Sequence, residues 1–527
     1  MRNKLYNHIS NFLLPCLIFS VLTGFFAAII ITAFKIIAEI VVHASSSAYE
    51  LVRTNPIWLP VLILAAALIG FLASFILSKS HSCKGGGIPT SVAAIQGIFS
   101  FHWFKGILLL PISALLTFVA GLPLGTEGPC VQMGTAVGDG VVKIFGKDKH
   151  KGWRRYIMTG GASAGFSIAT VSPISAIIFA MEELHKRFSL MLLCVSSIAV
   201  IIAQITAKSL AAVGIGKMEF FNIPEIASLP TYLLFAPIII GIVVGICSIL
   251  FTHLYHHIDR IMRIILKKLS QKIVLPILFS VVAIIGFFFV DTLSSGHSLI
   301  TSLFSPEATW YMLILIFVIR AIGMIICNTS GATGGIFLPT LAFGAIIGAL
   351  CAHAMIALGW IGTEHYLIMV VLGITSFLGA TSRIPLTACV FAIEALNGIN
   401  NVIPLIIATV IALLIVEASG LEDLTDKVIE AKLHRITKGK KPFDIEVPLL
   451  VNKNSFVVGK ELKDVLWPNS CVVLAFNRAK PSENHSVISE DDVITVRYVT
   501  YDPDSTAKEL KDLVGEQPEN IRKIMTP

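Results

Sequence analysis

Charged residues are scarce in this chain of 527 residues: Asp, Glu, Lys and Arg account for 14% of it, while hydrophobic residues account for 55%. A soluble protein of this length needs more charge to cover its surface, so the composition excludes an ordinary soluble protein. The apolar residues also form long runs, and those at 11–34 and 57–78 can each cross about 30 Å of hydrocarbon. The sequence therefore predicts an all-α polytopic membrane protein.

Paired cysteines are also lacking. The nine cysteines are scattered and show no CxxC spacing, which argues against a disulfide framework and a structural zinc site. His253, His256 and His257 have a spacing that could bind a metal, but a helix end beside the membrane explains them as well. No HExxH motif or nucleophile–base pair is evident, so we expect no enzyme, no metal and no other cofactor.

The lysines and arginines behind the formal net charge of +7 gather at the ends of apolar segments. The clusters lie at 147–155, 185–187, 260–272 and 432–441. Cytoplasmic loops of membrane proteins are enriched in such residues. We therefore expect these loops and both termini to be cytoplasmic, and we expect the lipid bilayer, not a nucleic acid, as a partner.

The membrane part repeats itself. Residues 173–184 match residues 385–396 at an offset of 212, and five upstream Gly and Pro positions match at an offset of 210. These two matches predict two homologous halves. Both halves contain short apolar segments interrupted by Gly or Pro, and such broken helices are typical of a transport pathway.

Three glycine-rich stretches precede apolar helices, at 84–89, 121–129 and 334–339. Glycine lets backbone amides turn toward a ligand, and a helix N-terminus adds positive partial charge. Converging N-termini can therefore hold a dehydrated anion without a full positive charge. For one such motif taken alone, tight helix packing is the favoured explanation, but three motifs together favour an anion site.

The composition changes after about residue 440. Alternating apolar residues at 445–451, 471–476 and 493–499 predict strands, with a short helix near 460–466 and a further helical stretch at 505–514. We therefore expect a transmembrane domain at 1–440, a small α/β cytoplasmic domain at 441–505, and a helix and tail at 506–527.

The motifs GGGIP, GTEGP and GGIFLP resemble, in order and spacing, the three signature motifs of the CLC chloride channels and transporters. The resemblance covers about residues 10–435. It implies a homodimer with one anion pathway in each subunit, two inverted repeats with many tilted and broken helices, and cytoplasmic termini.

By this resemblance Glu127 is the gating glutamate, which occupies an anion site when deprotonated and swings away when protonated. The alternative is an acid in a first helical turn that only interacts with the helix dipole. Anion contacts are implied for Gly85, Gly86, Gly87, Thr126, Gly128, Ile336, Phe337, Leu338 and Thr425. Pro129 favours chloride over fluoride, because the fluoride-exporting branch usually differs there.

The resemblance makes Glu183 the internal proton-transfer glutamate of the exchangers. The repeat supports this assignment, because Glu182 pairs with Glu394 while Glu183 pairs with Ala395. Glu182 and Glu394 are then shared architecture, and Glu183 is an addition. The alternative for Glu183 is a surface salt bridge with the basic residues at 186–187.

The chain departs from the family pattern at three positions. Gly86 stands where most members have a serine, which removes a hydroxyl from the central anion site. Thr126 replaces a basic residue before the gating glutamate, so the outer entrance has less positive potential. Thr425 matches a tyrosine that usually contributes its hydroxyl to the central site, and it is too short to reach equally far.

Together these features predict a secondary antiporter that exchanges chloride for protons and also accepts anions such as nitrate. The alternative is a passive chloride channel gated by voltage or pH. The C-terminal part resembles the TrkA-C-like module of bacterial potassium-transport regulators. This resemblance implies a bacterial plasma-membrane protein with a regulatory domain that binds a small ligand; a dimer-stabilising appendage is the alternative.

Overall fold

The computed structural model describes residues 13–85, 87–98, 102–146, 148–437, 441–453, 455–468, 471–479 and 487–525. Gly86, a predicted anion contact, lies outside the described residues. Within these ranges the first half of the membrane part has eight α-helices. They are α1 (Leu14–Thr54), α2 (Leu59–Lys79), α3 (Ile88–Ile95), α4 (Trp103–Val119), α5 (Glu127–Phe145), α6 (Arg154–Thr170), α7 (Pro173–Phe179) and α8 (Leu190–Ala212). A π-helical turn, Ala180–Leu184, follows α7.

The second half repeats these eight helices in the same order and adds one more among the described residues. They are α9 (Phe235–Lys268), α10 (Gln271–Phe288), α11 (His297–Ser302), α12 (Trp310–Ser330), α13 (Phe337–Ala357), α14 (Tyr366–Thr381), α15 (Pro385–Ala395), α16 (Val402–Ala418) and α17 (Leu424–Thr437). In the part of the chain that the structure describes, nine helical segments are long and apolar enough to cross a membrane. The protein is therefore a multi-pass membrane protein.

The short helices α7 and α15 begin in the same way. Pro173 and Pro385 occupy the first helical position, where the missing N–H would have no intrahelical acceptor in any case. Just before each proline the chain passes through a left-handed residue, Val171 at φ 55° and Arg383 at φ 54°. Residues other than glycine rarely adopt this backbone conformation. Here the left-handed residue ends the preceding helix and redirects the backbone.

The two halves also exchange equivalent contacts. The carboxylate of Glu182 accepts hydrogen bonds from the backbone N–H groups of Leu386 (3.0 Å) and Thr387 (2.7 Å) at the start of α15. The carboxylate of Glu394 accepts them from residues 174 (2.9 Å) and 175 (2.8 Å) at the start of α7. Each half thus caps a helix of the other, as a two-fold relation between inverted repeats requires. The prediction that these glutamates are shared architecture is confirmed.

Several glycines inside the long helices, outside the three glycine-rich motifs, serve packing. A Cβ on Gly344 of α13 would lie 2.5 Å from the carbonyl oxygen of Gly373 in α14. The repeat partner Gly134 of α5 meets the carbonyl oxygen of Gly161 in α6 in the same way. These helix pairs therefore approach closely because both surfaces lack side chains.

The C-terminal region, residues 441–525 as far as described, contains strands β1 (Phe443–Leu450), β2 (Cys471–Asn477) and β3 (Val493–Thr500), which form an antiparallel sheet in the order β1-β3-β2. A 3₁₀ turn at Leu462–Asp464 and helices α18 (Pro503–Val514) and α19 (Glu519–Met525) complete it. The predicted fold class, a helical polytopic protein with a small C-terminal α/β part, is confirmed. The expected division at 505/506 falls within α18, and the hydroxyl of Tyr498 donates to the carbonyl of Met525 (3.0 Å).

Candidate functional site

The three glycine-rich motifs bring the N-termini of α3, α5 and α13 together. A Cβ on Gly87 would lie 2.6 Å from the Cα of Gly128, and a Cβ on Gly128 would lie 2.8 Å from the Cα of Gly335. Any larger residue would collide with backbone at these positions. The absence of side chains therefore lets three positive helix ends converge on one place.

The loops before these helices are fixed to one another by backbone hydrogen bonds. Gly125 and its repeat partner Gly335 exchange two N–H···O bonds of 2.7 Å, which form an isolated antiparallel bridge. Gly85 donates to the carbonyl of Gly331 at 3.1 Å. Gly85 and Gly87 have φ values of +60° and +105°, so both use backbone conformations that favour glycine.

Gln132 ties the first motif to α5, and the sequence reasoning missed it. Its Oε1 accepts a hydrogen bond from the N–H of Gly87 (2.8 Å), and its Nε2 donates to the carbonyl of Ser82 (2.8 Å). Gln132 is fully buried. A signal for Gln132 was present in the sequence, namely an amide side chain inside an apolar membrane helix. Buried polar groups in such a helix need hydrogen-bond partners, so this residue could have been predicted to make a structural contact.

Glu127 lies at the start of α5, with 1% of its surface exposed. Its Oε1 accepts a hydrogen bond from the hydroxyl of Thr126 (3.2 Å), and the backbone N–H groups of Glu127 and Leu338 face the carboxylate. A Cβ on Gly125 would collide with its Oε2. The carboxylate thus lies between the N-termini of α5 and α13, where an anion would be favoured.

Lys35 is a charged residue that interacts with Glu127, and the sequence reasoning did not point to it. Its ammonium donates to the carbonyls of Ile168 (2.8 Å) and Ala169 (3.2 Å) at the C-terminal end of α6, and it interacts electrostatically with Glu127. The signal was a lysine inside the apolar helix α1, since ionisable residues within a membrane span are functional candidates. The positive charge of Lys35 is also stabilised by the negative end of the α6 dipole.

The predicted anion contacts Ile336, Phe337 and Leu338 form the start of α13. The first N–H groups of a helix have no intrahelical acceptor, so this end can donate to a ligand. The ring of Phe337 packs edge-on against Phe166 (5.1 Å between centroids) and Phe391 (5.6 Å). Aromatic rings from both halves therefore hold the N-terminus of α13 in place.

Glu183 lies in the π-helical turn, with 2% of its surface exposed. Its Oε1 accepts a hydrogen bond from the hydroxyl of Thr425 (2.7 Å), and its Oε2 accepts none from the described residues. Lys186 pairs instead with Asp423 (3.1 Å) and Asp426 (2.5 Å). The alternative of a surface salt bridge for Glu183 is therefore wrong.

The structure thus separates the predicted residues into two groups. Gly85, Gly87, Thr126, Gly128 and residues 336–338 belong to the converging helix N-termini around Glu127. Thr425, expected as an anion contact, directs its hydroxyl to Glu183. Its role toward an anion stays a prediction. Across the described ranges, His, Cys, Asp and Glu side chains form no group of three that could hold a metal ion.

Comparisons with known proteins agree with this architecture. Residues 65–417 match the family model described as voltage gated chloride channel. The H(+)/Cl(-) exchange transporter ClcA of Vibrio campbellii is 29% identical over 444 residues, covering 82% of this chain and 92% of that protein. The same-named protein of Yersinia pestis is 27% identical over 404 residues, covering 75% and 83%.

Solved structures show the same fold. The structure described as a slow cyanobacterial Cl-/H+ antiporter aligns with a TM-score of 0.73 at 23% identity, covering 80% of this chain and 99% of that one. A CLC-type fluoride/proton antiporter aligns with a TM-score of 0.64 at 20% identity, covering 76% and 95%. Because the family model covers more than half of the sequence, the chain belongs to the voltage-gated chloride channel (CLC) family.

Proposed function

We propose that this protein is a secondary antiporter that exchanges chloride for protons. The observation that carries the proposal is the pair of buried carboxylates, Glu127 at the converging helix ends and Glu183 in the π-helical turn. Relatives named H(+)/Cl(-) exchange transporters, which cover four fifths of the chain, support the same function. A buried carboxylate without a salt bridge is costly in a membrane, and proton transfer gives it a use.

The anion pathway follows the helix N-termini. Backbone amides of Gly85, Gly87, Gly128 and residues 336–338 stabilise a chloride ion through partial charges. Gly86 and Thr126 are further predicted contacts of the ion. Without a fixed Lys or Arg in direct contact, the ion is bound weakly enough to leave. The Glu127 carboxylate competes for the same place because it carries the same charge. Pro129 favours chloride over fluoride, and nitrate is a further substrate.

The proton pathway uses both glutamates in sequence. Protonation neutralises Glu127, so its side chain leaves the anion site and chloride enters. Glu183 collects protons at the other end of the pathway, and the Thr425 hydroxyl fixes one of its oxygens. The second oxygen then exchanges the proton. Chloride and protons therefore share Glu127 and diverge before Glu183.

A passive chloride channel remains the second candidate because of one observation. The hydroxyl of Thr425 donates to Glu183 and residue 86 is a glycine, so in this state the central site receives no hydroxyl donor from these two positions. A less enclosed central site weakens the link between anion and proton movement. The two candidates differ in whether chloride flow carries protons at all.

The assembly and orientation belong to the same proposal. We infer a homodimer in a bacterial plasma membrane, with one pathway in each subunit and cytoplasmic termini. The transmembrane domain is residues 1–440, followed by a TrkA-C-like regulatory domain at 441–505 and a helix and tail at 506–527. The antiparallel sheet with its flanking helices supports the regulatory module, for which a small ligand is expected.

The test is proton movement driven by a chloride gradient in liposomes that contain the pure protein. Wild type should move protons uphill while chloride flows down its gradient. Glu183→Gln keeps the size of the side chain but removes the titratable group, so it should conduct chloride and carry no protons. A wild type that passes chloride without measurable proton movement would establish the channel instead.

A further inference from the structure

We propose that segment 464–466 of the C-terminal region positions the turn that carries Glu183, so that docking of this region sets how many protons accompany each chloride. This inference rests on the proposed exchange function. It assigns to the C-terminal region a direct part in the proton pathway, through named contacts with residues beside Glu183.

The docking contacts gather on three consecutive residues. The hydroxyl of Tyr156, at the start of α6, donates to the carbonyl of Asp464 and accepts from the N–H of Leu466 (2.9 Å). Arg187 donates to the carbonyl of Val465 (3.2 Å). The hydroxyl of Ser189 donates to the Asp464 carboxylate (3.2 Å). The membrane part therefore binds both the backbone and a side chain of this segment.

Two of these partners, Arg187 and Ser189, follow Glu183 within a few residues of the chain. The backbone N–H of Arg187 donates to the carbonyl of Met181 (2.9 Å), which closes the turn around Glu183. Ser189 is the residue just before helix α8. Segment 464–466 thus binds the short connection between the π-helical turn and α8. π-helical turns are rare and are frequently found at functional sites.

Further contacts make the docking firm. The ring of Phe456 packs against Trp153 (5.5 Å between centroids) and Tyr156 (5.8 Å). Arg155 forms an ion pair with Glu509 of α18 and donates to the carbonyl of Leu466 (3.3 Å). Within the segment Val465 and Leu466 are buried and Asp464 is half-buried.

The turn is also linked to the first glycine motif. Gln96, at the end of α3, donates to the carbonyl of Leu184 (3.2 Å). The N-terminus of the same helix is one of the three that converge beside Glu127. A shift of the turn would therefore move Glu183 directly, and it would move the anion site through α3. A chain of contacts from the docking segment through the turn and α3 to the two glutamates is the basis for coupling.

The test removes docking hydrogen bonds without changing any charge. Tyr156→Phe combined with Ser189→Ala deletes the hydroxyl contacts to segment 464–466 in the full-length protein. The matched control is Tyr498→Phe, which deletes a tyrosine hydroxyl that bonds to a backbone carbonyl inside the C-terminal region. Chloride and proton fluxes are measured together in liposomes, and amide hydrogen exchange is followed in residues 181–189.

The double variant should keep its chloride flux but move about threefold fewer protons per chloride, within the range that coupling mutations reach. Exchange in residues 181–189 should accelerate. The control should match wild type in both readouts. If the double variant is not folded by gel filtration, Tyr156→Phe alone replaces it. An unchanged flux ratio together with unchanged exchange overturns the inference. A wild type that carries no protons refutes the antiporter function instead, and the exchange measurement then still decides whether docking holds the turn.

Discussion

The two halves of the membrane part share their architecture and differ in their chemistry. Glu182 and Glu394, at equivalent positions, cap equivalent helices, and Gly125 and Gly335 pair with each other across the repeat. The proposed proton residues have no acidic counterpart. At the repeat offsets, Glu127 corresponds to Phe337 and Glu183 corresponds to Ala395. The scaffold is therefore duplicated, whereas both proposed proton carriers lie in the first half.

This difference has a physical reason. Both halves must supply helix N-termini to the anion site, because an anion is stabilised by converging partial charges from several directions. A second carboxylate among these helix ends would repel both the anion and Glu127. An aromatic ring at position 337 instead packs against Phe166 and Phe391 and keeps the helix entrance in place. We therefore expect the shared scaffold to act on the anion and the two unshared glutamates to act on the proton.

The largest expected effect comes from breaking the shared scaffold at Gly335. In Gly335→Val the new Cβ would lie 2.6 Å from the backbone nitrogen of Gly128, so the two helix ends would have to separate. We expect little folded protein and no chloride flux, measured by gel filtration and in liposomes. Gly323→Ala is the matched control, since its Cβ would meet only Pro123 at 3.9 Å. A folded, active Gly335→Val would contradict the close approach of these helices.

The next prediction separates the two halves by their chemistry. Glu127→Gln mimics the protonated gate, so chloride flux should continue, lose its pH dependence and carry no protons. Phe337→Leu, at the equivalent position, changes packing without removing a titratable group. It should alter the chloride rate by about tenfold at most and leave proton coupling in place. Liposome fluxes at several pH values measure both. A Glu127→Gln variant that still drives protons uphill would refute the gating role.

The sequence predicted the shared scaffold well, because its signals are local. Prolines, glycines and glutamates that recur at a fixed offset indicated the repeat, and three short motifs predicted the converging helices. The alternating apolar residues of the C-terminal region likewise predicted its three strands. Each of these patterns is read from a short stretch of the chain, or from two short stretches compared at a fixed offset, so it needs no knowledge of the fold.

The sequence did not reveal contacts between distant residues. Gln132 meets Gly87 across 45 positions, Lys35 meets Ile168 across 133, and Thr425 meets Glu183 across 242. No local pattern links such pairs, because their proximity is created by packing. The docking of segment 464–466 was missed for the same reason. Thr425 illustrates the limit, since motif position suggested an anion contact while the fold directs its hydroxyl to Glu183.

The smallest expected effect tests whether the shared glutamates are equivalent. Glu182→Gln and Glu394→Gln each replace a carboxylate that accepts two backbone N–H groups at a helix start. The amide can accept with only one of its two terminal groups and carries no charge for the helix dipole. Each variant should therefore lose about 1–2 kcal/mol of stability, seen as similar drops in melting temperature in detergent.

Proton coupling should survive in both variants, because neither residue is a proposed proton carrier. The informative comparison is the ratio of protons to chloride, measured in liposomes beside the melting temperatures. If Glu182→Gln lowers this ratio and Glu394→Gln does not, then Glu182 takes part in proton transfer beside Glu183 and the repeat equivalence is only structural. If both leave the ratio unchanged and destabilise the protein equally, the asymmetry between the halves rests on Glu127 and Glu183.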